Sequence, residues 1–224
     1  MWRFVLTVSL LCWGSEGTVT CRDNNNGEVD WYILYKAPKS SQKHLTGLEY
    51  LYIDENGVTA MKAGDSNYKS IRDPTGVLAN TLRPIFTERA PNFGFISYSD
   101  QPPGGSASNT FGHSKGVLMV DSSNTGVWLL HSTPQFPFRR DQNNFWPESG
   151  KTNAQTFICI TFPYSRFTKI GKHLQYISAF PFDHDIPDTF HKELRNAVIR
   201  HKLDPPNNYQ TLTSITRFFT HFWI

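Results

Sequence analysis

Two cysteines set the first constraint on this chain. Cys21 and Cys159 stand 138 positions apart, and a third, Cys12, lies inside an apolar run at residues 4–13. That run follows Arg3 and is followed by small residues, Ser15 and Gly17, at the −3 and −1 positions for cleavage after Gly17. This is the layout of a cleavable secretory signal, and ten apolar residues are too few to cross a bilayer. The other reading of the run is a buried first strand. Removal of residues 1–17 takes Cys12 away and leaves an even pair in an oxidising compartment, which predicts one disulfide. Closing so long a loop stabilises a fold by roughly 5 kcal/mol as an upper figure. Cys159 as a catalytic thiol is the competing assignment, but it sits in a strand-like run at 157–162 that suits a buried, bonded sulfur. Any fold must therefore carry the amino-terminal segment to that strand.

Seventeen Phe, nine Tyr and six Trp among 224 residues supply enough apolar surface to offset chain entropy, which excludes disorder. Collagen, coiled-coil and multi-span membrane patterns are lacking, as is an internal repeat. The mature chain is predicted to be lumenal or extracellular, with no membrane contact. Charge is modest, at 22 basic and 19 acidic side chains for a formal +3. All eight His follow Gly17, and adding eight protons to +3 near pH 5 gives a limit of +11. A chain that becomes basic in acid suits a polyanion met in a lysosome; surface His without such a role remain the plain alternative.

Aromatic and β-branched runs predict strands at 29–35, 48–54, 93–99, 113–121, 127–133, 157–162 and 173–180. Apolar residues at helical spacing predict helices at 73–86 and, capped by Asp188, at 188–202. The strands at 113–121 and 127–133 are joined as a hairpin through residues 122–126. Strands outnumber helices in an α+β or mixed α/β order, with no boundary between residues 18 and 210. Residues 211–224 form an apolar tail with four aromatics, which either docks on the domain or marks a seam.

The sharpest chemical feature is His113-Ser114-Lys115, between Gly112 and Gly116. On a strand, positions i and i+2 share a face, so imidazole and ammonium would project side by side. Such a couple suits phosphate chemistry: Lys holds phosphoryl oxygens while His attacks phosphorus or passes a proton. A solvated strand end is the plain alternative. Across the hairpin, either His131 or Ser132 sits opposite Lys115, depending on register, as a candidate supporting group. Asp183-His184-Asp185 reads as a loop lacking spaced partner ligands, a weak metal candidate. The chain has neither a P-loop nor a G-x-S-x-G nucleophile elbow, and no cofactor is expected.

Several ordered blocks together resemble deoxyribonuclease II. They are Cys21-Arg22-Asp23, Gly27-Glu28-Val29-Asp30-Trp31, Tyr35-Lys36, Gly47-Leu48-Glu49-Tyr50-Leu51-Tyr52, Asp100-Gln101-Pro102-Pro103, Gly112-His113-Ser114-Lys115-Gly116, Trp128-Leu129-Leu130-His131-Ser132-Thr133-Pro134-Gln135-Phe136-Pro137 and Ile170-Gly171-Lys172. The resemblance implies an acid, divalent-metal-independent endonuclease of lysosomes that cuts double-stranded DNA of engulfed or dying cells to 3′-phosphate ends. It also implies a phospholipase D-like fold in which two His-x-Lys motifs face each other. His113 and Lys115 match the first motif, and Cys21 and Cys159 a family disulfide. An Asn usual in that superfamily near 131–133 is absent. No second His-x-Lys occurs in the 224 residues, and the likeness covers the family's amino-terminal half. The expectation is a half-site that acts only if two copies pair in a homodimer, or a non-catalytic member that binds DNA.

Overall fold

A computed structural model describes residues 19–87, 91–208, 211–216 and 222–223. The leader read at residues 1–17 lies outside the described residues. In chain order the elements are β1 (Cys21–Arg22), β2 (Glu28–Val29), β3 (Trp31–Lys36), β4 (Tyr50–Asp54), β5 (Gly57–Met61), α1 (Val77–Phe86), β6 (Phe93–Ser99), β7 (Lys115–Asp121), β8 (Thr125–His131), β9 (Gln155–Pro163), α2 (Phe167–Tyr176), β10 (Pro181–Asp185), α3 (Lys192–Val198), β11 (Thr211–Leu212) and β12 (Phe222–Trp223). Eight strands make one sheet, ordered β10-β6-β7-β8-β9-β3-β4-β5, and every neighbouring pair is antiparallel. Among the described residues the architecture is mixed α/β, a large antiparallel sheet flanked by three α-helices.

Every residue of β6 and β7 is buried, because both faces of the sheet are covered. Tyr32, Leu34, Phe95, Val117, Met119, Leu129 and Phe157 share one face with Val77, Leu78, Leu82 and Ile85 of α1 and with Phe136 and Phe145. Ile96, Tyr98, Leu118, Val120, Trp128 and Ile160 turn the other way, toward Phe167, Ile170 and Leu174 of α2 and Leu194 and Ala197 of α3. Each fully buried aromatic or leucine of these layers contributes about 1.5–3 kcal/mol over exposure. Cys21 and Cys159 are joined as the disulfide read from the sequence, and both are fully buried.

Four sequence readings are corrected. Residues 173–180 are not a strand: α2 occupies Phe167–Tyr176, with Phe167, Ile170 and Leu174 recurring at helical spacing. The helix expected at 188–202 is α3, confined to Lys192–Val198; the amide of Phe190 bonds the Pro187 carbonyl in a turn ahead of it. The helix expected at 73–86 starts at Val77, since the Asp73 carboxylate is spent on the amide and hydroxyl of Thr75. The hairpin strands begin two residues later and end two residues earlier than expected, at Lys115 and His131.

The described part of the tail docks. Leu212 is buried in the α2/α3 layer, Ser214 donates to Asp30 at 2.8 Å, and the Ile215 amide bonds the Thr161 carbonyl.

Candidate active site

The chain leaves β6 at Asp100, makes an excursion, and re-enters the sheet at Lys115, which pairs with Ser99. The Asp100 amide bonds the Ser114 carbonyl and the Ala107 amide bonds the Asp100 carbonyl, so the excursion is closed at its base. Two glycines let it lie flat. A Cβ at Gly112 would sit 1.9 Å from the Ile177 carbonyl oxygen, and one at Gly116 would sit 2.5 Å from the Tyr98 hydroxyl. Neither position has room for a side chain.

His113 is therefore not on the strand, and the alternation argument does not place it. It is brought to Lys115 by a third residue. The Asp100 carboxylate spans the pair, one oxygen on the His113 Nδ1 and the other on the Lys115 ammonium. Burial pushes the Asp100 carboxyl up, but its hydrogen bonds and charge contacts with Lys115 and His113 outweigh that and hold it below the usual carboxylate range. An ionised carboxylate only accepts, so the His113 Nδ1 carries the proton and Nε2 is the nitrogen presented outward. The gradient of exposure fits such a site: the His113 side chain is 84% exposed, Asp100 16% and Lys115 5%. An anchored ammonium thus lies at the base of a solvent-facing imidazole.

The two supporting candidates separate. The register that pairs Gly116 with Leu130 carries Lys115 opposite His131, not Ser132. His131 is buried against Phe136 (4.9 Å between ring centres) and Phe157 (5.7 Å), and among the described residues its ring nitrogens have no well-formed hydrogen bond, only a weak approach to the Thr133 backbone. Burial drives its pKa down to about 3; the Lys115 charge adds to this and the Thr133 backbone opposes it. Ser132 bonds Gln155 and Thr156 of β9 instead. Neither orients the His113 imidazole. Burial also lowers His173 to about 4. Two of the eight imidazoles thus stay neutral at pH 5, and the acid charge limit read from the sequence falls accordingly.

Asp183, His184 and Asp185 lie on edge strand β10 rather than in a loop, and Asp183 pairs with Arg140 at 3.0 Å. Among the described residues no group of three His, Cys, Asp or Glu is placed to hold a metal ion, and no helix is long and apolar enough to cross a membrane.

Asp100 is the residue of the candidate site that sequence reasoning missed, although its block was among those that carried the resemblance. Its partners are 13 and 15 residues away. The available signal was topological: an acid closing one antiparallel strand lies beside the first residue of the next.

Comparison with known proteins bears on this arrangement. The sequence profile of the Deoxyribonuclease II family matches residues 20–222. The chain is 37% identical over 190 residues to Plancitoxin-1 of Acanthaster planci, covering 82% of this chain and 51% of that one. It is 35% identical over 222 residues to Deoxyribonuclease-2-alpha of Sus scrofa, covering 93% and 59% respectively. Cell-death-related nuclease 7 of Caenorhabditis elegans is 31% identical over 222 residues, covering 99% and 56%. The chain spans between half and three fifths of the length of these relatives.

Proposed function

The chain belongs to the deoxyribonuclease II family, and on that footing we propose that it carries the amino-terminal half-site of an acid endodeoxyribonuclease acting on double-stranded DNA. The observation that carries the reading is the Asp100 carboxylate holding an exposed imidazole and a buried ammonium together. Lys115 grips a non-bridging oxygen of the phosphodiester, and the His113 Nε2 attacks phosphorus. The P–O5′ bond breaks as a phosphohistidine forms, and the departing 5′ oxygen takes its proton from a second imidazole. Water then opens the phosphohistidine and leaves a 3′-phosphate. No step calls on a divalent metal.

The second imidazole is not His131, which is buried and neutral in acid. In this proposal it comes from a second copy, each chain of a homodimer lending its His113 and Lys115. The eight-stranded sheet is then one half of a two-half, phospholipase D-like architecture. The place of action is the lysosome or the secreted medium. Residues that act as a unit fail as a unit, so a monomer is expected to bind DNA without cutting it.

The test is plasmid nicking near pH 5 with EDTA, on the parent and on His113→Ala, with monomer and dimer fractions assayed separately. The expected result is nicking confined to the dimer and lost in the variant. Nicking retained by His113→Ala overturns the site assignment, nicking abolished by EDTA overturns the metal-free step, and binding without nicking in every fraction assigns the chain as a DNA-binding, non-catalytic member.

A further inference from the structure

Beside the His113 site lies a shelf of two aromatics and two cations that the proposed chemistry does not use. Phe111 and Phe180 meet edge to face, with ring centres 4.8 Å apart. The Arg200 guanidinium lies 4.0 Å from the centre of Phe180 and 5.8 Å from that of Phe111, and the Lys202 ammonium 5.0 Å from the centre of Phe111. Arg200 also donates to the Pro181 carbonyl, and Lys202 to the Thr110 carbonyl at 2.8 Å. Both cations are exposed, and neither forms an ion pair among the described residues. Arg195, by contrast, faces Asp188, and Arg140 faces Asp183.

Two ties fix this shelf to the site. Phe111 is two residues before His113, and the Gly112 amide between them bonds the Ser178 carbonyl. The Phe180 carbonyl accepts the amide of Ser99, the residue that precedes Asp100. A third observation is conformational. Arg200 ends the turn after α3 at φ 61°, a left-handed position that glycine ordinarily takes. An arginine held there against its backbone preference, with its head over a phenyl ring, points to a use for the charge.

Resting on the deoxyribonuclease reading above, we infer that Arg200 and Lys202, seated on Phe111 and Phe180, form a backbone subsite that holds DNA phosphates flanking the scissile one. Two residues of chain reach at most about 7 Å, and the Lys202 ammonium lies 5.0 Å from the Phe111 ring centre. The shelf therefore meets the strand within a few phosphates of the cut. The rings occupy one side of each cation and leave donors free for phosphate oxygens; these contacts position the duplex and read no sequence.

The experiment measures binding rather than cleavage. His113→Ala protein and a fluorescein-labelled 30-base-pair duplex are titrated by anisotropy at pH 5 across 50–200 mM salt. The second protein adds R200Q and K202Q, which keep the aliphatic stems on the rings and remove the charges. A third adds K43Q and K62Q, the same change in net charge at two exposed positions outside the shelf. Loss of two phosphate contacts lowers the slope of log Kd against log salt by about 1.8, so the four-fold rise in salt weakens the parent roughly 12-fold more than the shelf variant. The K43Q/K62Q protein is expected to follow the parent. An unchanged slope in R200Q/K202Q, or an equal fall in both double variants, overturns the subsite and leaves the nuclease reading standing. A parent that does not bind the duplex at any salt overturns the nuclease reading, and the subsite with it.

Discussion

Replacing Asp100 by Asn probes the one group that makes the site a unit. The amide matches the carboxylate in shape but cannot hold an imidazole N–H and an ammonium with charge. Lys115 is 5% exposed and Asp100 16%, so the ammonium would lose its one ion-pair partner among the described residues while staying largely out of water. Breaking a fully buried pair costs about 3–5 kcal/mol. Partial solvent access to Asp100, and an amide oxygen that still accepts from Lys115, reduce this to about 2 kcal/mol. For a chain of this size that is a fall of roughly 4–8 °C in Tm, measured by calorimetry at pH 7. The pH dependence gives a second reading. The folded carboxyl is held below its unfolded value of about 3.9, so its contribution is complete above that pH and is lost as pH falls through the folded value. The gap between parent and D100N should therefore persist at pH 5 and close below about pH 4. In parallel, the imidazole nitrogen shifts of His113 should move from a fixed Nδ1–H form to a mixture of tautomers. Equal melting at pH 7, or a gap that fails to close once the carboxyl is protonated in the folded chain, would refute the bridging role.

Two further predictions follow from the surroundings of the site. The unfolded chain protonates His131 near pH 6.5 and the folded chain only near 3, so stability rises with pH between these limits and is lost as pH falls. His131→Phe should gain about 2 kcal/mol more at pH 5 than at pH 7, read from urea midpoints; an equal gain at both would show that burial does not hold the imidazole neutral. Gly112→Ala drives a methyl into the Ile177 carbonyl and should lower both melting temperature and DNA nicking, whereas Gly105→Ala, with open space around it, should change neither.

What the sequence disclosed depended on how far apart the cooperating residues lie. Phe93–Ser99 was legible to the residue, because its aromatics and β-branched neighbours end at a turn. His113 and Lys115 were found as a pair, yet for a reason that does not hold: the imidazole lies off the strand and is brought in by Asp100. That carboxylate was illegible as a partner because its contacts depend on which strand ends become neighbours. Helix α2 was misread because Leu174 and Tyr176 alternate locally like a strand, whereas Phe167, Ile170 and Leu174 set the longer period that packing selects. The protonation of His131 could not be read either, since the aromatic enclosure that keeps it neutral is assembled from Phe136 and Phe157 on separate segments.

The strand order has a consequence for how the chain is made. Strand β3 ends up between β4 and β9, and Cys21 ends up bonded to a residue 138 positions downstream. At about 5–20 residues per second, a ribosome needs roughly 7–28 s to deliver Cys159 after Cys21. Through that interval the nascent amino-terminal hairpin has an open edge and an unmatched thiol, and neither is closed until the second half of the sheet arrives.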